Sequence, residues 1–280
     1  MKTRLPVSLG PDADLYIYYL EGRLPRQTGI RDAAFIGNWE EAGFSFLFFR
    51  CPAEKTVRRL VAAYPPLKLL DSYQMTYAQW QGDRVKPLRI GRFLLRPPWI
   101  EAAPENSEME IILDPGVVFG TGTHPTTRDC LRAIDRVCAA GPIDRMLDLG
   151  TGTGVLALAA VKLGCRQAVA VDFNFLAAGT TLGNVHRNHM GDRILVVNGQ
   201  AENFTGYRAD LLVANIHYDV MQQLVRTAGF LEKKWFVLSG LLRSEAKRIN
   251  DYLANQPVKI VDRWDRDGIW HTFLGKTGNH

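Results

Sequence analysis

The chain has 280 residues, 34 Lys+Arg against 29 Asp+Glu, a formal net charge of +5, and 46% hydrophobic with 22% charged residues. That length and composition describe an ordinary soluble protein of one large or two modest domains. No run of 18 apolar residues occurs and Met1-Lys-Thr-Arg-Leu-Pro-Val7 lacks a signal-peptide core, so a cytoplasmic monomer with no membrane partner is expected.

Charge is uneven: residues 1–99 hold 15 Lys+Arg and 9 Asp+Glu, net +6, whereas residues 100–280 hold 19 and 20, net −1. The cations of the front are scattered, which favours a solvated surface over a nucleic-acid site. Cys51, Cys130, Cys138 and Cys165 show no close metal-type pairing and are expected to be reduced core residues, with no metal site.

In chain order, an aromatic strand is expected near Asp14–Leu20 and a second at Phe44–Phe49, followed by a helix around Glu54–Tyr64 that Pro65 and Pro66 stop. Residues 1–72 thus read as a small α/β recognition domain and 73–98 as a linker with a strand ending at Pro97-Pro98. Residues 99–280 form the second domain. Ile111–Thr127 crowds glycines, threonines and His124 in front of a helix expected to begin near Arg128, with Thr126 or Thr127 able to cap it. No Lys follows these glycines, so the stretch is not a P-loop.

Met146–Ala160 is an apolar strand, a turn of alternating glycines and a small-residue helix. Gly150, Gly152 and Gly154 permit a sharp turn and close approach to a ligand, and the helix start offers unpaired N–H groups. A dinucleotide fingerprint needs its third glycine at position 155, which is Val155, and Asp148 would face a pyrophosphate. A cation suits the site better, and S-adenosylmethionine carries an ammonium and a sulfonium with no phosphate. Asp172, 22 residues after Gly150 at the end of the next strand, is placed to accept ribose hydroxyls. The strand Asp210–Asn215 ends in an amide, followed by Ile216-His-Tyr218. Trp235–Gly240, a helix at Ser244–Ala254 and strands at Val258–Asp262 and Ile269–Leu274 close an alternating α/β pattern with an antiparallel pair.

Asp114-Pro-Gly-x-x-Phe-Gly-Thr-Gly-Thr-His-Pro-Thr-Thr127, then Asp148-Leu-Gly-Thr-Gly-Thr-Gly154, Asp172 and Ala214-Asn-Ile216, resemble the ribosomal protein L-eleven methyltransferase family (PrmA) over roughly residues 77–275. The threonine-rich loop is the specific part, since the glycine turn is common to class I methyltransferases. The resemblance implies a Rossmann-like class I methyltransferase domain with a mostly parallel seven-stranded sheet. It also implies S-adenosyl-L-methionine as cofactor, with Thr127, Gly150, Gly152, Asp172 and Asn215 contacting it. The implied activity is N-methylation of lysine or α-amino groups of a ribosomal protein held by the small front domain. Asn215-Ile-His-Tyr218 is similar to the Asn-Pro-Pro-Tyr element of enzymes that methylate nitrogen, and makes Asn215 the expected catalytic residue. The front domain does not match the family residue by residue, so an RNA or DNA amino-methyltransferase and a non-catalytic binding protein of the same fold stay open. No stable nucleic-acid binding is expected, because no recognised module is present.

Overall fold

The computed structural model describes residues 9–25, 29–82, 86–105 and 107–278. The chain divides between Lys86 and Pro87 into two compact units.

The first unit contains β1 (Asp14–Glu21), β2 (Phe35–Glu41), β3 (Phe44–Phe49), α1 (Glu54–Ala63), β4 (Lys68–Thr76) and the short α2 (Tyr77–Trp80). Its sheet has the order β2-β3-β1-β4, and every neighbouring pair is antiparallel. Alternation along β1 and β3 sends Tyr18, Leu20, Leu47 and Phe49 to one face, where Val57 and Leu60 of α1 pack on them. The Tyr18 hydroxyl accepts the Ala53 N–H at 2.7 Å and fixes where α1 begins. Pro65 disfavours a helical Tyr64 and ends the helix.

The stretch expected as a linker, 73–98, is divided between the units. β4 runs to Thr76 as an edge strand, hidden in the sequence because seven of its nine residues are exposed and it has no period of two. Thr76 then caps α2, its Oγ1 accepting from Gln79 N at 3.2 Å. Cys51, expected in the core, is exposed at the turn that joins β3 to α1, while Cys130 and Cys165 are buried.

The second unit begins with β5 (Leu88–Ile90), β6 (Phe93–Arg96) and β7 (Met109–Ile112), a small sheet in that order. There follow α3 (Pro125–Ala140), β8 (Arg145–Leu149), α4 (Val155–Lys162), β9 (Gln167–Asp172), α5 (Phe175–Arg187), β10 (Ile194–Asn198) and β11 (Leu211–Asn215). The chain ends with α6 (Tyr218–Leu224), α7 (Ala228–Leu231), β12 (Trp235–Leu242), α8 (Arg243–Leu253), β13 (Val258–Arg266) and β14 (Trp270–Thr277). The large sheet has the order β10-β9-β8-β11-β12-β14-β13, parallel from β10 to β12 and antiparallel beyond.

Two cores make this unit a three-layer α/β structure. On one side Met146, Ala168 and Val213 meet α3, α4 and Val185 of α5, together with Ile90, Phe93 and Ile111 of the small sheet. On the other, Leu147, Val171 and Leu212 meet Met221, Phe230 and Ile249 of α6, α7 and α8. Strands covered on both faces read as unbroken apolar runs, which is why β8, β9 and β11 were legible. No helix of the described residues is long and apolar enough to cross a membrane.

Candidate functional site

The strand order reverses between β8 and β11: β9 lies on one side of β8, and β11 on the other, so the loops leaving their carboxyl ends diverge and leave a crevice. Every predicted ligand-facing segment ends there. After β8 comes the glycine turn, whose Gly150 and Thr151 N–H groups donate to Val171 O at 2.8 and 3.0 Å. Gly150 and Gly152 have φ of +74° and +58°, a region costly for other residues. A side chain at Gly150 would overlap Ile216, and one at Gly152 the Phe119 carbonyl. The turn therefore packs between the segment after β11 and the threonine-rich loop.

Two carboxylates lie behind the turn. Asp172 ends β9 and is 7% exposed, its two oxygens accepting from Gly152 N at 3.0 Å and Asn174 N at 2.9 Å. Burial raises its pKa against these two bonds. Asp148 is fully buried; burial pushes it up to about 7, the Thr151 hydroxyl at 2.6 Å pulls it back, and the charge of Asp172 adds to the rise. The Ala157 N–H in the first turn of α4 also pulls it back, while Oδ1 makes no hydrogen bond of normal geometry among the described residues.

The helix after the threonine-rich loop starts earlier than expected. His124 is the N-cap and Pro125 the first helical residue, so Thr126 and Thr127 lie inside the first turn rather than capping it. Proline suits that position because its missing N–H would be unpaired there anyway. His124 Nδ1 lies 2.7 Å from Thr126 Oγ1, and its ring stands edge-on to Phe119 and Trp270 at 5.2 and 5.0 Å; burial lowers its pKa. Thr127 is 1% exposed and its Oγ1 is unpartnered among the described residues. It stands one turn before Cys130, whose thiol lies against Ser239 and near Asp148 and is pushed up to about 12, chiefly by burial.

Asn215 is the last residue of β11 and pairs in register with Ser239 of β12. It does not cap the following helix, because His217 holds that position. A register shift between Leu238 and Leu241 bows β12, and a Cβ at Gly240 would stand 3.0 Å from Asn215 Oδ1.

Several residues that support this crevice were not foreseen. Asn184 of α5, fully buried, donates to the carbonyls of Asp114 and Thr153, both at 2.9 Å, and accepts from Asp114 N at 2.8 Å. It ties the base of the threonine-rich loop to the glycine turn. Thr153 Oγ1 donates to Gly120 O at 2.6 Å and Thr181 Oγ1 to Gly152 O at 2.8 Å. Asn198 Nδ2 donates to the carbonyls of Asp172 and Phe173 at 3.0 Å, fixing the segment in which Phe173 and Phe175 stand 64% and 75% exposed. Two phenylalanines directly after the strand-end Asp172 were a signal the sequence did offer.

A family model described as ribosomal protein L11 methyltransferase (PrmA) matches residues 72–277, a stretch that holds the whole crevice. The chain belongs to the PrmA family. It is similar to a ribosomal protein L11 methyltransferase of Desulfitobacterium hafniense, 37% identical over 186 residues, which are 65% of this chain and 59% of that protein. Against the ribosomal protein L11 methyltransferase of Pseudoalteromonas atlantica the identity is 36% over 195 residues, 67% of this chain and 65% of the relative. The crystal structure of ribosomal protein L11 methylase from Lactobacillus delbrueckii subsp. bulgaricus matches with a TM-score of 0.57 at 26% identity, covering 67% of this chain and 95% of that one. The second unit is thus a Rossmann-like methyltransferase fold. The chain spans about six tenths of the length of the curated PrmA relatives it matches, 59% and 65% in these two cases.

Proposed function

We propose that this chain is an S-adenosylmethionine-dependent protein N-methyltransferase of the ribosomal protein L11 type, acting on lysine side chains or the α-amino group. One observation carries the reading: where the strand order reverses, the buried Thr127 Oγ1 has no partner among the described residues and stands with the buried carboxylates Asp148 and Asp172 beside a glycine turn with no room for side chains. A ligand with cationic N–H groups and no phosphate fits that set. Gly150 and Gly152 would approach it with backbone alone, Asp172 would use its remaining lone pairs on ribose hydroxyls, and Thr127 would take a polar hydrogen. The exposed rings of Phe173 and Phe175 would cover the base. When bound, S-adenosylmethionine supplies an electrophilic methyl group on a sulfonium.

The residues of this chain have then to present a neutral amine. A lysine with a pKa near ~10.4 is neutral about once in 2,500 at pH 7, a cost of roughly 4.6 kcal/mol. Desolvation against Phe119, His124 and Trp270 favours the neutral form. The Asn215 side-chain carbonyl accepts an amine N–H and turns the lone pair toward the methyl group. Loss of the proton to solvent before binding completes the scheme. The first unit would serve substrate recognition.

The test uses purified protein, labelled S-adenosylmethionine and recombinant unmethylated ribosomal protein L11. Label should enter a protease-sensitive band of that protein, and Asn215→Ala should lower kcat by about a hundredfold or more. Label in RNA instead, or full activity in the variant, overturns the reading.

A further inference from the structure

The sheet of the first unit has a second face, opposite α1. Register sets its side chains in rows across all four strands: Trp39, Phe46, Tyr19 and Asp71; then Glu41, Phe44, Glu21 and Lys68; and on the other side Gly37, Phe48, Ile17 and Tyr73. Tyr19 stacks on Phe46 with ring centroids 4.8 Å apart and 16° between planes, and leans on Phe44 at 5.2 Å. Trp80 packs edge-on to Phe48 at one end, 5.2 Å away. Beyond that contact the rings are part-exposed, Tyr73 by 44%.

Charge on this face has the opposite sign to the unit as a whole. Asp71, Glu41 and Glu21 are exposed among the rings, and Lys68 is paired to Glu21 at 3.4 Å. Asp71 also hydrogen-bonds Tyr73 at the sheet edge. Among the described residues, the exposed cations Lys55, Arg58 and Arg59 belong to α1, which covers the reverse face, and Arg23, Arg31 and Lys86 lie outside the strands. Single-stranded nucleic acid also stacks on aromatic sheets, but it needs cations along its backbone. Rings framed by carboxylates attract ammonium and guanidinium groups, which sit over the ring faces while their charge is met at the rim.

We infer that this aromatic, carboxylate-framed sheet face is the docking surface for a lysine- and arginine-rich polypeptide segment. The inference deepens the proposed function and rests on it for the nature of the substrate. A chain that is basic overall can grip a basic protein because the face that does so is locally acidic.

Fluorescence anisotropy of the full-length protein with fluorescein-labelled deca-lysine reads the binding, and labelled deca-uridylate is the competitor class. Asp71→Lys with Glu41→Lys changes two exposed side chains and leaves the core intact; Arg58→Glu with Arg59→Glu is the control on α1. Deca-lysine should bind the wild type and the control, and bind the Asp71/Glu41 variant about tenfold or more weakly. Equal affinity in that variant and the wild type, or tighter binding of deca-uridylate than of deca-lysine, overturns the inference. Methyl transfer to ribosomal protein L11 is read separately. Its absence alongside deca-lysine binding that depends on Asp71 and Glu41 would sink the proposed function and leave the docking face supported.

Discussion

At the scale of single residues, Asp148 carries the clearest consequence. Burial holds its pKa at about 7, so the folded apoprotein binds a proton that the unfolded chain releases near pH 4. The stability tied to that proton is therefore fully present below about pH 4 and is lost as pH rises through about 7. The midpoint of thermal unfolding of the apoprotein should fall between about pH 5 and about pH 8, and Asp148→Asn should flatten most of that slope. Asp172, raised by burial in the same direction, accounts for the slope that is left. A cation bound nearby favours the carboxylate, so S-adenosylmethionine should expel a proton on binding near pH 7. Calorimetry in two buffers of different ionisation heat would detect the release in the wild type and miss it in Asp148→Asn. An unfolding midpoint that climbs over this range would refute the assignment.

Among the elements, the crevice depends on a hydrogen-bonded clasp more than on the glycine turn alone. Asn184 satisfies backbone groups of Asp114 and Thr153, and nothing else of its shape can both donate twice and accept once there. Asn184→Ala leaves buried backbone groups unpaired and should cost about 3 kcal/mol in urea unfolding, with weaker cofactor binding as the loop and the turn loosen. A loss below about 1 kcal/mol would show that water replaces the clasp. This residue also marks where sequence reasoning stops. Gly150, Asp172 and Asn215 were legible because each ends a local strand pattern, whereas Asn184 sits in mid-helix and its partners lie 70 and 31 residues away. The same limit applies to the helix start, where Thr126 or Thr127 was expected as the cap but His124 holds that position and Pro125 opens the first turn. Edge strand β4 escaped because seven of its nine residues are exposed, so no buried face imposes a period of two.

For the whole molecule, two electrostatic scales make opposite forecasts about salt. A net charge of +5 repels a basic substrate, so screening it would lower KM as salt rises. Local attraction to Asp71, Glu41 and Glu21 would be screened instead, and KM would rise. The face wins if contact is made there, because at about 0.1 M salt charges more than roughly 10 Å away are already screened while those at the contact are not. KM for ribosomal protein L11 should therefore increase several-fold between about 0.05 M and about 0.5 M salt. Cofactor affinity should change far less over the same range, because Asp148 and Asp172 are buried and belong to the second unit. Steady-state kinetics and equilibrium binding, run on one sample across the series, separate the two effects. A KM that falls with salt would mean that the basic excess of the chain, and not the carboxylates framing Tyr19 and Phe46, governs the encounter.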